Sequence, residues 1–144
     1  MTHAALTQIA PPAAAVPSQD RTLSLLRMLM RKCRAKARVE VFETCALLLH
    51  SPQEGAQEYA DALLRVLASG LPKTPVIHMI TARERSFDES WLLALFAAIA
   101  RNDQGSIAFL LRARLPLHLR RPVGWLASEL VDRMAAEADK TSRI

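Results

Sequence analysis

The side chains best suited to bind a metal ion or to act as nucleophiles are histidines and cysteines, and they are scattered along this chain. They are His3, Cys33, Cys45, His50, His78 and His118. None of them has a partner at a metal-ligand spacing, since neither a CxxC pair nor an HExxH pattern occurs. The sequence therefore predicts no metal site and no bound cofactor.

Motifs for covalent catalysis and for phosphate binding are also missing from the sequence. No GxSxG nucleophile elbow occurs, and the four glycines are too far apart to form a phosphate-binding loop. Asp88 and Glu89 are adjacent carboxylates, but both fall in the first turn of a predicted helix, where capping explains them. We therefore predict no catalytic residue and favour a protein that is not an enzyme.

A row of basic residues is the clearest charged pattern. Four arginines recur at steps of four, three and four, which places them on one stripe of a helix, and two lysines flank that stripe. The basic row comprises Arg27, Arg31, Arg34 and Arg38, with Lys32 and Lys36 beside them. Such a row can match successive phosphates of a nucleic acid. It is also typical of a solvated helix face whose long side chains cover apolar surface, and we favour that interpretation.

An acidic row lies a short distance further along the chain. Glu54, Glu58 and Asp61 recur at steps of four and three. Folded back antiparallel, this acidic row could face the basic row, within one chain or between two subunits. Each exposed pair would contribute only ~0.2–1 kcal/mol, so the pairing would set register and partner choice. If the two rows neutralise each other, the nucleic-acid hypothesis loses its main support.

A second, smaller basic cluster surrounds Pro116 and His118. It comprises Arg112, Arg114, Arg120 and Arg121. Arg112 and Arg114 can bond to the last carbonyl groups of their helix. A DNA-binding helix–turn–helix motif around residues 103–106 is disfavoured, because its second helix would be largely apolar.

Composition indicates one helical domain in a reducing compartment. The chain has 144 residues, of which 51% are apolar and only 5% aromatic, and Ala, Leu and Met favour helices. A formal charge of +5 permits binding to nucleic acid or to anionic surfaces. The longest apolar run, residues 91–100, is too short for a membrane span. With no basic segment ahead of the apolar N-terminal stretch and only two cysteines, we expect a cytoplasmic protein.

The composition and spacing of residues in the N-terminal third predict a tail followed by one or two helices. Residues 1–17 are rich in Ala and Pro, which indicates a disordered or extended tail. Residues 19–50 carry apolar side chains at helical steps and form either one long helix or two. We prefer two helices with a break near residues 34–38, because helices in globular proteins average about 11–12 residues.

Caps, prolines and glycines predict the later boundaries. Residues 51–54 form a capping box that opens a helix to about Ser69, and Gly70 suits a left-handed cap. Residues 75–80 are short and apolar, and we expect a helical turn there rather than a strand, which would have no partner. A second capping box, at residues 86–89, opens a helix to about Arg101.

Two further helices complete the prediction. One spans residues 106–114 and stops at Pro116, and the last begins near Pro122 and frays after Ala138. The apolar side chains expected to face the core include Leu26, Leu29, Met30, Tyr59, Leu63, Val66, Phe87, Trp91, Leu95, Trp125, Leu126 and Leu130.

These patterns together predict an all-α protein, a compact orthogonal or antiparallel bundle of five or six helices. We expect a flexible tail over residues 1–17, a single helical domain over 18–138 and a frayed C-terminus over 139–144. The favoured function is a non-enzymatic module that binds a protein partner or a second copy through charge-segregated helix faces. The alternative is a nucleic-acid-binding transcriptional regulator that uses the basic row.

Overall fold

The structure, a computed structural model, describes residues 11–31, 41–51 and 53–142. Within these ranges the chain forms helices joined by short connections and contains no strand. The helices are α1 (Pro11–Arg31), α2 (Val41–Leu49), α3 (Ala56–Gly70), α4 (Phe87–Ala100), α5 (Gln104–Arg114) and α6 (Leu117–Ser142). The predicted all-α bundle is thus confirmed, and none of the described helices could cross a membrane.

The helices pack around one apolar core. The most extensive contact joins α3 to α6, while α4 packs against α5 and α6, and α1 packs against α3 and α4. The short helix α2 contacts α3 and α6. Buried side chains from all six helices meet in a single cluster, whose largest fully buried members include Tyr59, Leu26, Leu63, Leu92, Leu126 and Leu130.

Most of the predicted core side chains are buried, because their helical spacing places them on the inner face of each helix. Phe87 is the exception, since it is 72% exposed. It is the first residue of α4, and its ring lies 4.8 Å from the guanidinium carbon of Arg114 instead of in the core. Trp125 is half-buried, with its ring edge-on to Tyr59 at a centroid distance of 5.8 Å.

Two helix starts are capped as their sequences predict. At α4, Ser86 Oγ accepts the amide of Glu89, and Glu89 Oε1 accepts the amide of Ser86. At α5, Asp103 caps the amide of Ser106, and the helix begins at Gln104. Between them Asn102 adopts a left-handed conformation with φ of 62°, which closes the end of α4.

The start of α3 differs from the prediction. The amide of Glu54 donates to the carbonyl of Ser51 at 3.1 Å, and Glu54 lies outside α3, which starts at Ala56. The helix begins at Ala56 instead, whose amide donates to Glu137 of α6 at 3.1 Å. A contact between distant parts of the chain thus caps α3, and no local pattern could indicate it.

Gly70 ends α3, but not through the left-handed cap that we predicted, because no described glycine has a positive φ. A Cβ at this position would overlap Cδ1 of Leu119, which is fully buried at the start of α6. The glycine therefore permits close approach of two helices.

The helical turn predicted at residues 75–80 is wrong. This stretch lies in an irregular connection, residues 71–86, between α3 and α4. The amides of Val76 and His78 donate to the carboxylates of Asp88 and Glu89 in the first turn of α4. Bonds to these side chains replace helical backbone bonds, so the segment needs no regular structure.

The outer helices extend beyond their predicted limits. Helix α1 begins at Pro11, so residues 11–17, which we expect from the sequence to belong to the tail, are helical, and residues 1–10 lie outside the described residues. Helix α6 begins at Leu117 and contains Pro122, since Leu119 and Val123 on either side are both buried in the core. It continues to Ser142, past the predicted fraying point. Residues 34–38, where we expect a break between two helices, lie outside the described residues.

Candidate functional site

Arg27, the first member of the predicted basic row, is buried and bound to Glu89. The two side chains are 4% and 0% exposed. Nε of Arg27 donates to Oε2 of Glu89 at 2.7 Å, and Nη2 donates to Oε1 at 3.0 Å. This two-point arrangement matches the planar guanidinium to the carboxylate and is the strong form of such a pair. Arg27 is therefore unable to contact a phosphate or a partner from within this arrangement.

The same ion pair secures the connection between α3 and α4. Nη1 and Nη2 of Arg27 also donate to the carbonyls of Ala82 and Glu84 at 2.8 and 2.9 Å. Glu89 in turn accepts the amides of Ser86 and His78, each at 2.9 Å. Two side chains thus satisfy four backbone groups of residues 71–86 in addition to each other.

Burial would raise the pKa of Glu89, because a carboxylate is poorly solvated inside a protein. The hydrogen bonds and positive charge of Arg27, with the amides of Ser86 and His78, outweigh burial and hold this pKa below its ordinary value. Glu89 is therefore an ionised structural group. A carboxylate held this way is a poor general acid or base.

Of the rest of the basic row, only Arg31 lies within the described residues. It is exposed and lines a cavity of about 350 Å³ between α1, α3 and residues 74–81. The other members of the row, Lys32, Arg34, Lys36 and Arg38, lie outside the described residues.

The acidic row does not form a continuous stripe. Glu54 precedes α3, and its carbonyl accepts a bond from Nε of Arg133 at 2.7 Å. Glu58 accepts the amide of Gly55 at 3.1 Å, and Asp61 pairs with Arg65 of the same helix at 3.0 Å. Within the described part of the chain, the contacts of the acidic row are thus with α3, its start and α6 rather than with Arg27 or Arg31.

The histidine and cysteine side chains that the structure describes do not gather into a metal-binding cluster. Among the residues that the structure describes, no group of three or more His, Cys, Asp or Glu could hold a metal ion. His50 and His118 are exposed and lie on different helix ends. Burial raises the pKa of the Cys45 thiol, which disfavours the reactive thiolate. Cys33 lies outside the described residues.

The smaller basic cluster divides into two parts. Arg114 bonds to Asp88, and its guanidinium carbon lies over the rings of Phe87 and Trp91. Nε of Arg120 donates to the carbonyl of Leu115 at 3.0 Å. The other two members, Arg112 and Arg121, are exposed and make no hydrogen bond or ion pair with any described residue.

Arg112, Arg120 and Arg121 line one groove between α5 and α6, with a volume of about 640 Å³. Residues 104, 107, 108 and 111 of α5 form one wall, and residues 121, 124, 125, 128 and 132 of α6 form the other. Both sets recur at helical steps, so each wall is one face of its helix. At Gly124 the two helices approach closely, since a Cβ there would lie 3.2 Å from Cδ1 of Leu111.

Helix α2 carries the most prominent exposed apolar side chains. Phe42 and Leu49 are 79% and 62% exposed, and Leu47 is 70% exposed. Only Leu48 of this helix is fully in the core. Phe42, Ala46 and Leu49 recur at steps of four and three, so they share one side, which we call the α2 apolar side.

Comparison with known proteins supplies no relative. No protein-family description matches the chain, and neither a curated protein nor a solved structure is significantly similar to it. Function must therefore be inferred from the residues themselves.

Sequence reasoning missed Glu89 as a partner of the basic row. The capping box accounted for its position, and nothing local indicated a second role. The one available indication was that Arg27 lies beside Leu26 at the inner edge of α1, where an arginine needs a buried acidic partner.

Proposed function

We propose that this protein is a non-enzymatic helical interaction module that self-associates through the α2 apolar side. The observation that carries the proposal is the exposure of Phe42 and Leu49 on one side of a nine-residue helix. Soluble monomers seldom expose adjoining large apolar groups, and such groups mark interaction surfaces.

The energetic reason is the apolar area that association would remove from water. Fully burying a Phe or Leu side chain contributes about 1.5–3 kcal/mol. Two copies meeting through this surface would bury two Phe42 and two Leu49 side chains. The free energy of this burial offsets part of the free-energy cost of losing rotational and translational freedom on association.

A second copy is the partner that this surface fits best. The α2 apolar side contains no charged residue, so two copies could bring Phe42 and Leu49 together around a twofold axis without placing a charge between them. The basic and acidic rows support self-association less well, because Arg27 and Asp61 already have ion-pair partners in their own chain. The apolar side therefore replaces the charged rows as the basis of the proposal.

Sedimentation velocity over a wide protein concentration range tests the proposal. We expect the wild type to dimerise with increasing concentration and the double variant Phe42→Asp/Leu49→Asp to stay monomeric. Phe109→Asp is the matched control, since Phe109 is 68% exposed on α5, away from α2. Circular dichroism checks that each variant is folded. A wild type that stays monomeric throughout, or a variant that dimerises equally, would overturn the proposal.

A further inference from the structure

The groove between α5 and α6 has an excess of positive charge. Arg112, Arg120 and Arg121 line it, against the single carboxylate of Asp132. The side chains of Arg112 and Arg121 form no hydrogen bond or ion pair with a described residue, so no described carboxylate is paired with either guanidinium group. A groove of this kind attracts anions, because low-dielectric walls strengthen the field of the arginines.

Both walls of the groove also carry apolar side chains. Ile107, Leu111 and the half-buried ring of Trp125 line it, beside Gly124, which contributes no side chain. Its volume of about 640 Å³ lies within the range of small-molecule sites, about 300–1,000 Å³. The arginines and the apolar wall together favour a ligand with a charged head and an apolar body.

We propose that this groove binds an amphipathic organic anion, one with a carboxylate, sulfonate or phosphate head on an aromatic or aliphatic body. The head would pair with Arg112 and Arg121, whose guanidinium groups donate to such anions at two points. The body would lie against Trp125 and Leu111. This proposal is independent of α2 and does not rest on the self-association proposed above.

The probe for the test is anilinonaphthalene sulfonate, which carries one sulfonate on an apolar ring body and fluoresces when it leaves water. We expect the folded protein to bind it, with energy transfer from tryptophan, and binding to weaken as salt is added. The double variant Arg112→Glu/Arg121→Glu should bind at least tenfold more weakly. Arg112→Gln/Arg121→Gln provides a milder second variant in case the reversal of charge perturbs the fold.

Three controls make the result specific. Lys73→Glu/Arg83→Glu changes the net charge equally at two exposed positions outside the groove and should alter binding less than twofold. The uncharged analogue N-phenylnaphthylamine should bind at least tenfold more weakly than the sulfonate. Phe42→Asp/Leu49→Asp should keep the probe affinity, which separates this site from α2.

Three outcomes would overturn the proposal. One is a loss of binding that is equal in the groove variants and in the Lys73→Glu/Arg83→Glu control, because overall charge would then explain it. The second is a wild type that does not bind the probe. The third is a pair of groove variants that bind the probe as tightly as the wild type does.

Discussion

Arg27 and Glu89 lie 62 residues apart in the sequence and form a buried ion pair that joins α1 to the first turn of α4. Glu89 simultaneously closes the capping box with Ser86, so one carboxylate fixes both a local helix start and a long-range contact. The irregular connection between α3 and α4 is held by bonds from the same two side chains. The pair therefore organises a whole region rather than a single contact.

Removal of Arg27 should strongly destabilise the fold. Arg27→Met leaves Glu89 buried without its counter-charge and leaves the carbonyls of Ala82 and Glu84 without their donor. Breaking a buried ion pair in this way costs about 3–5 kcal/mol. Urea denaturation followed by circular dichroism measures the loss. The control is Arg83→Met at an exposed position, which should change the free energy of unfolding by less than ~0.5 kcal/mol. Equal stability of the two variants would contradict the assignment.

Acid should destabilise the wild type partly through Glu89. Its pKa is lower in the folded chain than in the unfolded chain, so the stability it contributes is complete above the ordinary glutamate pKa. That contribution is lost as the pH falls through the lower, folded-state pKa. In Glu89→Gln this part of the pH dependence should disappear, although the variant is less stable at neutral pH.

Urea denaturation at a series of acidic pH values tests this prediction. A residual slope is expected in Glu89→Gln, because bonds from Ser106 and Arg101 also lower the pKa of Asp103. If the wild type and Glu89→Gln lose stability in parallel between neutral and acidic pH, the ionised Glu89 does not contribute as described.

Local signals in the sequence were sufficient for much of the fold. The cap at Ser86 and the apolar stripe that includes Tyr59 and Leu63 depend on residues within one or two helical turns of each other. Such signals do not depend on where other helices lie. They therefore predicted the all-α class, α4 and the inner face of α3.

Features that depend on distant neighbours could not be predicted. The partner of Arg27, the cap of Ala56 by Glu137, and the contact of Gly70 with Leu119 each join residues far apart in the chain. The same holds for the groove, since the sequence places Arg112 and Arg121 in one cluster but the groove exists only once α5 and α6 pack. The exposure of Phe42 likewise depends on how little of α2 the bundle covers.

Gly70→Ala should destabilise the protein, whereas Gly105→Ala should not. The new methyl group at position 70 would overlap the side chain of Leu119, which is fully buried in the core. Overpacking of this kind costs about 1–3 kcal/mol. At position 105 in α5 the nearest atom is Oδ1 of Asp103 at 3.7 Å, so alanine fits and should stabilise by ~0.4–1 kcal/mol. Thermal melting of the two variants should shift in opposite directions, and equal shifts would contradict the role of Gly70.

Nucleic-acid binding by the basic row should be weak or absent, because Arg27 is withdrawn into the bundle and the proposed module binds protein instead. Fluorescence anisotropy of labelled duplex DNA across a salt series tests this, with Arg31→Glu/Arg34→Glu/Arg38→Glu beside the wild type. Each phosphate contact that is lost would reduce the slope of log affinity against log salt by about 0.9. Lys73→Glu/Arg83→Glu/Arg85→Glu matches the change in charge at exposed positions outside the row. Steeply salt-dependent binding that only the row variant loses would instead favour a nucleic-acid-binding regulator, with Arg31 among the residues that contact phosphate.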